Sequence, residues 1–199
     1  MVTVKRRATK KKTPVRTDAL RNRQRLLESA VESILEAGGE PSRDAIAKRA
    51  GVGIATLYRH FPDQQSLFHA TARHVLERSI SAGETALDSA PDGVAALRQY
   101  MHTALDNGIG VVNMIHPLLE RRDWPDLLAR ADALMKALVK RAVRDGPLRS
   151  DLAARDIVFA LIRFSRPLAV GLPRNEEAAL AHRHLDFYID GLRRARRRR

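Results

Sequence analysis

The chain contains no cysteine, so disulfides, thiolate zinc sites and cysteine nucleophiles are all excluded, and a reducing compartment fits. Aromatic residues make up only 5% of it, against 44% hydrophobic residues in which alanine and leucine dominate. Strands draw on β-branched and aromatic residues, so this balance favours helices and an all-α fold. No run of about 18 apolar residues occurs, and the basic N-terminal stretch is not followed by an apolar segment. The expectation is a cytoplasmic protein with neither a membrane span nor a secretory signal. Also missing are a glycine-rich phosphate loop, a zinc-protease helix and a serine nucleophile elbow. No catalytic residue, metal ligand or cofactor is therefore assigned. His102 and Asp106, four residues apart, read as an exposed pair rather than as the start of a metal or proton-transfer site.

Charge of one sign is abundant, and its position matters more than its amount. The net charge is +13 over 199 residues. Residues 1–17 hold seven cations and no acid, and residues 193–199 hold six more. The stretch between them, 18–192, carries 23 bases and 23 acids. The body of the protein is thus neutral, and its high isoelectric point alone does not argue for nucleic-acid binding. Both tails read as solvated and disordered, although an N-terminal arm of this kind can lie along a minor groove.

Apolar periodicity predicts nine helices. The first, over 18–37, carries Leu26, Leu27, Ala30, Val31, Ile34 and Leu35 on one stripe and stops at Gly38-Gly39. Two short helices follow, one from the expected cap Ser42 to residue 50 and one over 54–60, separated by Gly51-Val52-Gly53. Asp63 caps a long helix over 63–87, and further helices are expected over 92–107 and 111–119, the latter interrupted by Pro117. Asp123-Trp124-Pro125 opens the most strongly periodic segment, which ends at Asp145-Gly146-Pro147. The last two helices are expected over 150–166 and over 175–194, with Asn175 as cap. No internal repeat interrupts the pattern.

Residues 43–60 have the parts of a helix-turn-helix: a short helix, a glycine turn and a second helix with a free outer face. Val52, Leu57 and Phe61 point inward, leaving Ile54, Ala55, Thr56, Tyr58, Arg59 and His60 outside. Ala55 lets a backbone come close, Thr56, Tyr58 and His60 can donate to phosphates, and Arg59 can reach a base edge or a phosphate. The run Ala45-Ile46-Ala47-Lys48-Arg49-Ala50-Gly51-Val52-Gly53-Ile54-Ala55-Thr56-Leu57-Tyr58-Arg59-His60-Phe61 resembles the TetR family of regulators closely. With the segment from Arg25 to Glu32 and Gly38, that likeness extends over about residues 21–70. It implies that Thr56, Tyr58, Arg59 and His60 meet operator DNA, and that Arg43 touches its backbone from the supporting helix. Two positions depart from the family pattern. Gly53 stands where a serine or threonine cap is frequent, and Gln64 stands where a phosphate-binding lysine is common. The second change removes a counterion-releasing charge, so a weaker and less salt-dependent affinity is expected.

The resemblance also implies the organisation of the rest. Residues 1–17 form a disordered basic arm, 18–66 a three-helix DNA-binding domain, 67–192 a larger helical domain for effector binding and dimerisation, and 193–199 a basic tail. The rows Ile157, Val158, Leu161, Ile162, Phe164 and Leu185, Tyr188, Ile189, Leu192 are expected to pair with a second copy as a four-helix bundle. Met101, Leu105, Met114, Ile115, Trp124, Leu128, Met135 and Phe164 are expected around a pocket for a mainly apolar organic effector. His102, Asn107, His116 and Arg163 could add polar contacts there. The function expected is a ligand-responsive repressor that binds a palindromic operator as a homodimer. The alternative is a helical adaptor whose basic tails bind RNA or acidic partners.

Overall fold

The computed structural model describes residues 14–115, 124–146, 148–167 and 171–193, with side chains from Thr17 onward. Among these residues nine helices follow one another: α1 Pro14–Ala37, α2 Arg43–Ala50, α3 Ile54–His60, α4 Gln64–Ser89, α5 Gly93–Asp106, α6 Gly110–Met114, α7 Pro125–Asp145, α8 Ala154–Phe164 and α9 Arg174–Gly191. The one β feature among them is an isolated antiparallel bridge between Leu148 and Arg193. No helix of the described residues is long and apolar enough to cross a membrane.

Local chemistry accounts for the helix ends, including those that differ from expectation. α1 starts at Pro14 rather than at residue 18, so residues 14–17 of the expected disordered arm are helical. Proline is well placed there, because a first-turn N–H has no intrahelical acceptor to lose. Residues 1–13 and 194–199, the bulk of the two basic tails, lie outside the described residues, as do His116 and Pro117. Helix α8 starts at Ala154, later than expected, where the Asp156 carboxylate accepts the Ala153 N–H at 2.8 Å. Asn175 does not cap α9; Pro173 precedes the helix, and its carbonyl takes the N–H groups of Glu176 and Glu177 at 3.0 Å. Those two acids lie in the first turn, where the helix dipole favours them.

Two buried clusters hold the molecule together. The first joins Leu26, Ile34, Ile46, Leu57 and Phe61 of the N-terminal helices to Val111 and Ile115 around α6. The second gathers Leu97, Met101, Leu138, Ile157, Leu161, Leu185 and Ile189 from α5, α7, α8 and α9. Helix α4 belongs to both: Leu67, Phe68 and Ala72 enter the first cluster, and Ile80 and Ala86 the second. The two cores therefore share one continuous helix.

Two further ties fix the C-terminal helices. Arg141 of α7 donates to the Leu87 carbonyl and, at 2.8 Å, to the Ala90 carbonyl, satisfying the open end of α4. Gly93, the first residue of α5, abuts the Arg141 backbone so closely that a Cβ there would overlap the carbonyl group. Gly93→Ala should force α5 and α7 apart, at about 1–3 kcal/mol. Thermal denaturation should then show a Tm lower by several degrees, whereas an unchanged Tm would mean that the two helices do not meet at this point.

Candidate functional site

The turn between α2 and α3 is built by three devices. Ser42 caps α2, its hydroxyl accepting the Ala45 N–H at 3.2 Å. Gly51 ends the helix at φ +63°, a left-handed conformation that glycine adopts without penalty. The Val52 N–H then reaches back to the Ala47 carbonyl at 3.1 Å, closing a Schellman turn. Helix α3 starts at Gly53 with no side-chain cap, as its sequence implies. It is locked by fully buried Leu57 and by Phe61 at its C-terminus. Asp63 next opens α4 with a reciprocal capping box. The Ser66 N–H donates to Asp63 at 2.6 Å, and the Asp63 N–H donates to the Ser66 hydroxyl at 3.4 Å. The donated N–H holds the Asp63 carboxyl below its usual pKa.

The outer face of α3 presents Ala55, Tyr58 and Arg59 to solvent, Tyr58 with 45% of its surface free. Ile54, Thr56 and His60 are half-buried beside them. Arg59 makes no hydrogen bond or ion pair among the described residues, so its guanidinium is available to a ligand. His60 has its pKa lowered, first by burial and then by the nearby charges of Arg23 and Arg59. Arg43 of α2 is engaged: its guanidinium stacks over the Tyr58 ring at 4.6 Å and donates to the Pro62 carbonyl at 3.0 Å. It braces the Tyr58 ring, a contact its sequence position did not suggest. Gln64 likewise donates to Glu40 at 3.2 Å. Of the eight predicted DNA-contacting residues, Ile54, Ala55, Thr56, Tyr58, Arg59 and His60 share α3, while Arg43 and Gln64 flank it from α2 and the start of α4.

The reading head is also tied to the remainder of the chain through α1. Glu32 and Glu36 of α1 both receive Arg49 of α2, the first at 2.9 Å. The hydrogen bond that Arg49 donates to Glu32 leads the effects that raise the Arg49 pKa. On the same stretch of α1, Arg174 at the start of α9 donates to the Glu32 carbonyl at 3.2 Å and pairs with Glu36 at 3.5 Å.

Residues 26–71 match the family model described as bacterial regulatory proteins, tetR family. The HTH-type transcriptional repressor LfrR of Mycolicibacterium smegmatis is 33% identical over 135 residues, which cover 66% of this chain and 71% of LfrR. The HTH-type transcriptional regulator SAB2452 of Staphylococcus aureus is 36% identical over 93 residues, 46% of this chain and 48% of its own. The chain belongs to the TetR family of transcriptional regulators. Two solved structures agree over nearly the whole length. A TetR regulatory protein from Mycobacterium vanbaalenii superimposes with a TM-score of 0.64 at 29% identity, covering 91% of this chain and 100% of that one. The TetR-like regulator LfrR from Mycobacterium smegmatis, in complex with proflavine, gives 0.62 at 27% identity over 85% and 96%. This TetR-family chain is thus a DNA-binding regulator of transcription and not an enzyme.

In this TetR-family fold an apolar cavity of about 260 Å³ lies between α4, α5, α6, α7 and α8. Leu128 and Met135 line it, as the sequence suggests. The other predicted pocket residues lie elsewhere. Met101 is fully buried in the C-terminal core, Ile115 in the N-terminal one, and Met114 packs against the latter. Trp124 touches both cores, with its ring 4.3 Å from that of His69. Leu105 and Phe164 line a separate cavity of about 230 Å³ beneath Leu35 of α1. Apolar spacing identified which residues turn inward but not which core each would join. Missed by that reading are Leu76, Ser79, Tyr100 and Ile162 of the cavity wall. Ser79 and Tyr100 gave a weak signal because serine and tyrosine break an apolar stripe, and Ile162 was assigned to the contact with a second copy.

Two further expectations are revised. His102 and Asp106 are not a pair; each meets His182 of α9 instead. The Nδ1 atoms of the two histidines lie 2.6 Å apart, and His182 Nε2 lies 2.9 Å from Asp106. His102 Nε2 reaches Asp186 at 3.0 Å, and Arg98 joins both Asp186 and Asp190. This chain of polar contacts fastens α5 to α9, and no group of the described residues could hold a metal ion. In addition, Ile157, Leu161, Leu185, Ile189 and Leu192, expected to face a second copy, are buried within the chain's own core. Tyr188 is half-buried and donates to the Asp156 carbonyl at 3.1 Å. The apolar side chains left outside are Val158 and Phe159 of α8, Leu172, and Phe187 of α9.

Proposed function

We propose that this regulator is a ligand-responsive repressor that binds a palindromic operator as a homodimer, with residues 18–66 reading DNA and 67–192 holding the effector and the contact between copies. The observation that carries the reading is the shared helix α4. Its first half packs under the reading head through Leu67 and Phe68, and its second half supplies Leu76, Ser79 and Ile80 to the apolar cavity. A molecule that fills the cavity favours one position of α4, and hence one separation of the two reading heads. Operator binding needs about 34 Å between them, so occupancy shifts the dimer toward or away from DNA. One relative, LfrR, is both named a repressor and known in complex with proflavine, and so supports both halves of this account. The proposed place of work is the cytoplasm, where an operator is accessible.

The outward faces of α8 and α9 support the dimer. On α8, Arg155 and Phe159 share an outer side whose neighbours Val158 and Ile162 also line the cavity; on α9, Leu180, Arg183, His184 and Phe187 recur at helical spacing. Phe159 is 60% and Phe187 59% exposed in the single chain. Arg183 lies over the Phe187 ring at 5.3 Å, extending the covered surface. Large aromatic side chains standing free on two adjoining helices fit an isologous interface.

Fluorescence anisotropy with a labelled operator tests the whole reading. Two chains should bind per site, and Arg59→Ala should weaken binding, whereas undiminished affinity would transfer DNA contact to the basic tails. Gln64 offers a separate check. Gln64→Lys should strengthen binding and steepen the dependence of log K on log salt by about 0.9. An unchanged slope would place the start of α4 away from the phosphates.

A further inference from the structure

The apolar cavity has a composition that restricts what can occupy it. None of its described wall residues is aspartate, glutamate, lysine, arginine or histidine. Tyr100 is the single aromatic residue in that wall, and Ser79, Tyr100 and Asn113 are its polar members. A charged ligand would lose its hydration there with no opposite charge to compensate.

Two hydroxyls from neighbouring helices stand out. Ser79 of α4 is 2% exposed, and its Oγ has no hydrogen-bond partner. Helical serines and threonines commonly return the hydroxyl proton to the carbonyl four residues back. Thr71, Thr85 and Ser89 of the same helix do so, at 2.8, 3.0 and 2.8 Å. Ser79 does not, although an unsatisfied buried hydroxyl is costly to keep. Tyr100 of α5 is 7% exposed and makes no hydrogen bond among the described residues. Burial pushes its phenol pKa up to about 12, so it stays a neutral donor at any working pH.

Resting on the ligand-responsive reading above, we infer that the effector is an uncharged, mainly aliphatic molecule carrying one hydroxyl or carbonyl group, held by Ser79 and Tyr100 while the rest of it fills the apolar cavity. The polar group completes the hydrogen bonding that the folded chain leaves open on α4 and α5. Because Ser79 sits on the helix shared with the reading head, the same bond links occupancy to the position of α4.

The test uses the full chain and four probes of one length: decanol, decane, decylammonium and decanoate, each titrated calorimetrically below its aggregation limit. Decanol should bind, decane should bind about threefold to tenfold more weakly, and neither ion should bind measurably. Ser79→Ala should reduce the preference for decanol over decane while leaving Tm equal or higher, since it deletes an unsatisfied buried group but keeps the Tyr100 hydroxyl. That pairing of retained stability with reduced selectivity would not arise from a purely structural serine. Binding of decylammonium or decanoate as tight as that of decanol would overturn the ligand class while leaving ligand response intact. If none of the four binds, the inference falls, while the ligand-responsive reading, for which the separate cavity beneath Leu35 is still open, is judged by its own test.

Discussion

An Ala55→Glu variant is expected to lose operator affinity by more than about a hundredfold while folding like the parent chain, since juxtaposed like charges at an interface cost several kcal/mol. Ala55 is exposed in the first turn of α3, so a longer side chain there displaces nothing in the core. A glutamate in a first helical turn is favoured by the helix dipole, which removes instability as an explanation for lost binding. What changes is the approach: a carboxylate stands where backbone and phosphate must come close. Arg59→Ala is the milder companion, costing about 1–3 kcal/mol and relaxing the preference at one base pair if Arg59 reads a base edge. If it meets only phosphate, the loss should be uniform across sequences. Circular dichroism and anisotropy on both variants separate folding from recognition. Full affinity in Ala55→Glu would show that α3 does not enter the groove.

The second large effect concerns assembly. Phe159→Glu combined with Phe187→Glu should yield a monomer, with operator affinity reduced by a hundredfold or more, because each reading head then binds its half-site without the gain of linkage. Both side chains are outside the chain's own core, at 60% and 59% exposure, so the monomer should keep its helicity and its Tm in dilute solution should change little beyond the loss of association. Sedimentation equilibrium measures the outcome. A double variant that remains dimeric would place the contact on another surface, and a parent chain that is monomeric at micromolar concentration would remove it.

Much of this organisation is legible in the order of residues, for reasons that are local. Gly51 and Asp63 announce a turn and a cap because their effects depend on one backbone angle or on a hydrogen bond spanning three residues. The inward row Leu26, Ala30 and Ile34 is equally local, since one stripe of α1 meets one core. The interface and the cavity are different. Helix α8 carries apolar residues on two sides, with Ile157 and Leu161 buried and Val158 and Phe159 free. Periodicity cannot rank two such rows; the packing of α8 against α7 and α9 does. His102 and His182 stand 80 positions apart, so their contact follows from the fold alone. Ser79 is the extreme case. Nothing distinguishes it from Thr71 or Ser89 until each hydroxyl is matched with its partner, and only then does the unsatisfied hydroxyl of a residue in the cavity wall emerge. The same comparison adds a contact at Arg43 that its charge does not announce, the stacking of its guanidinium on Tyr58.

The central claim is that two copies present their α3 helices together. Selection of bound sequences from random DNA, followed by footprinting and stoichiometry on the enriched site, tests it most directly. The account predicts an inverted repeat whose half-sites are centred about one helical turn apart, occupied by two chains, with protection lost in Ala55→Glu. Enrichment of an unrepeated sequence bound by a single chain would contradict it.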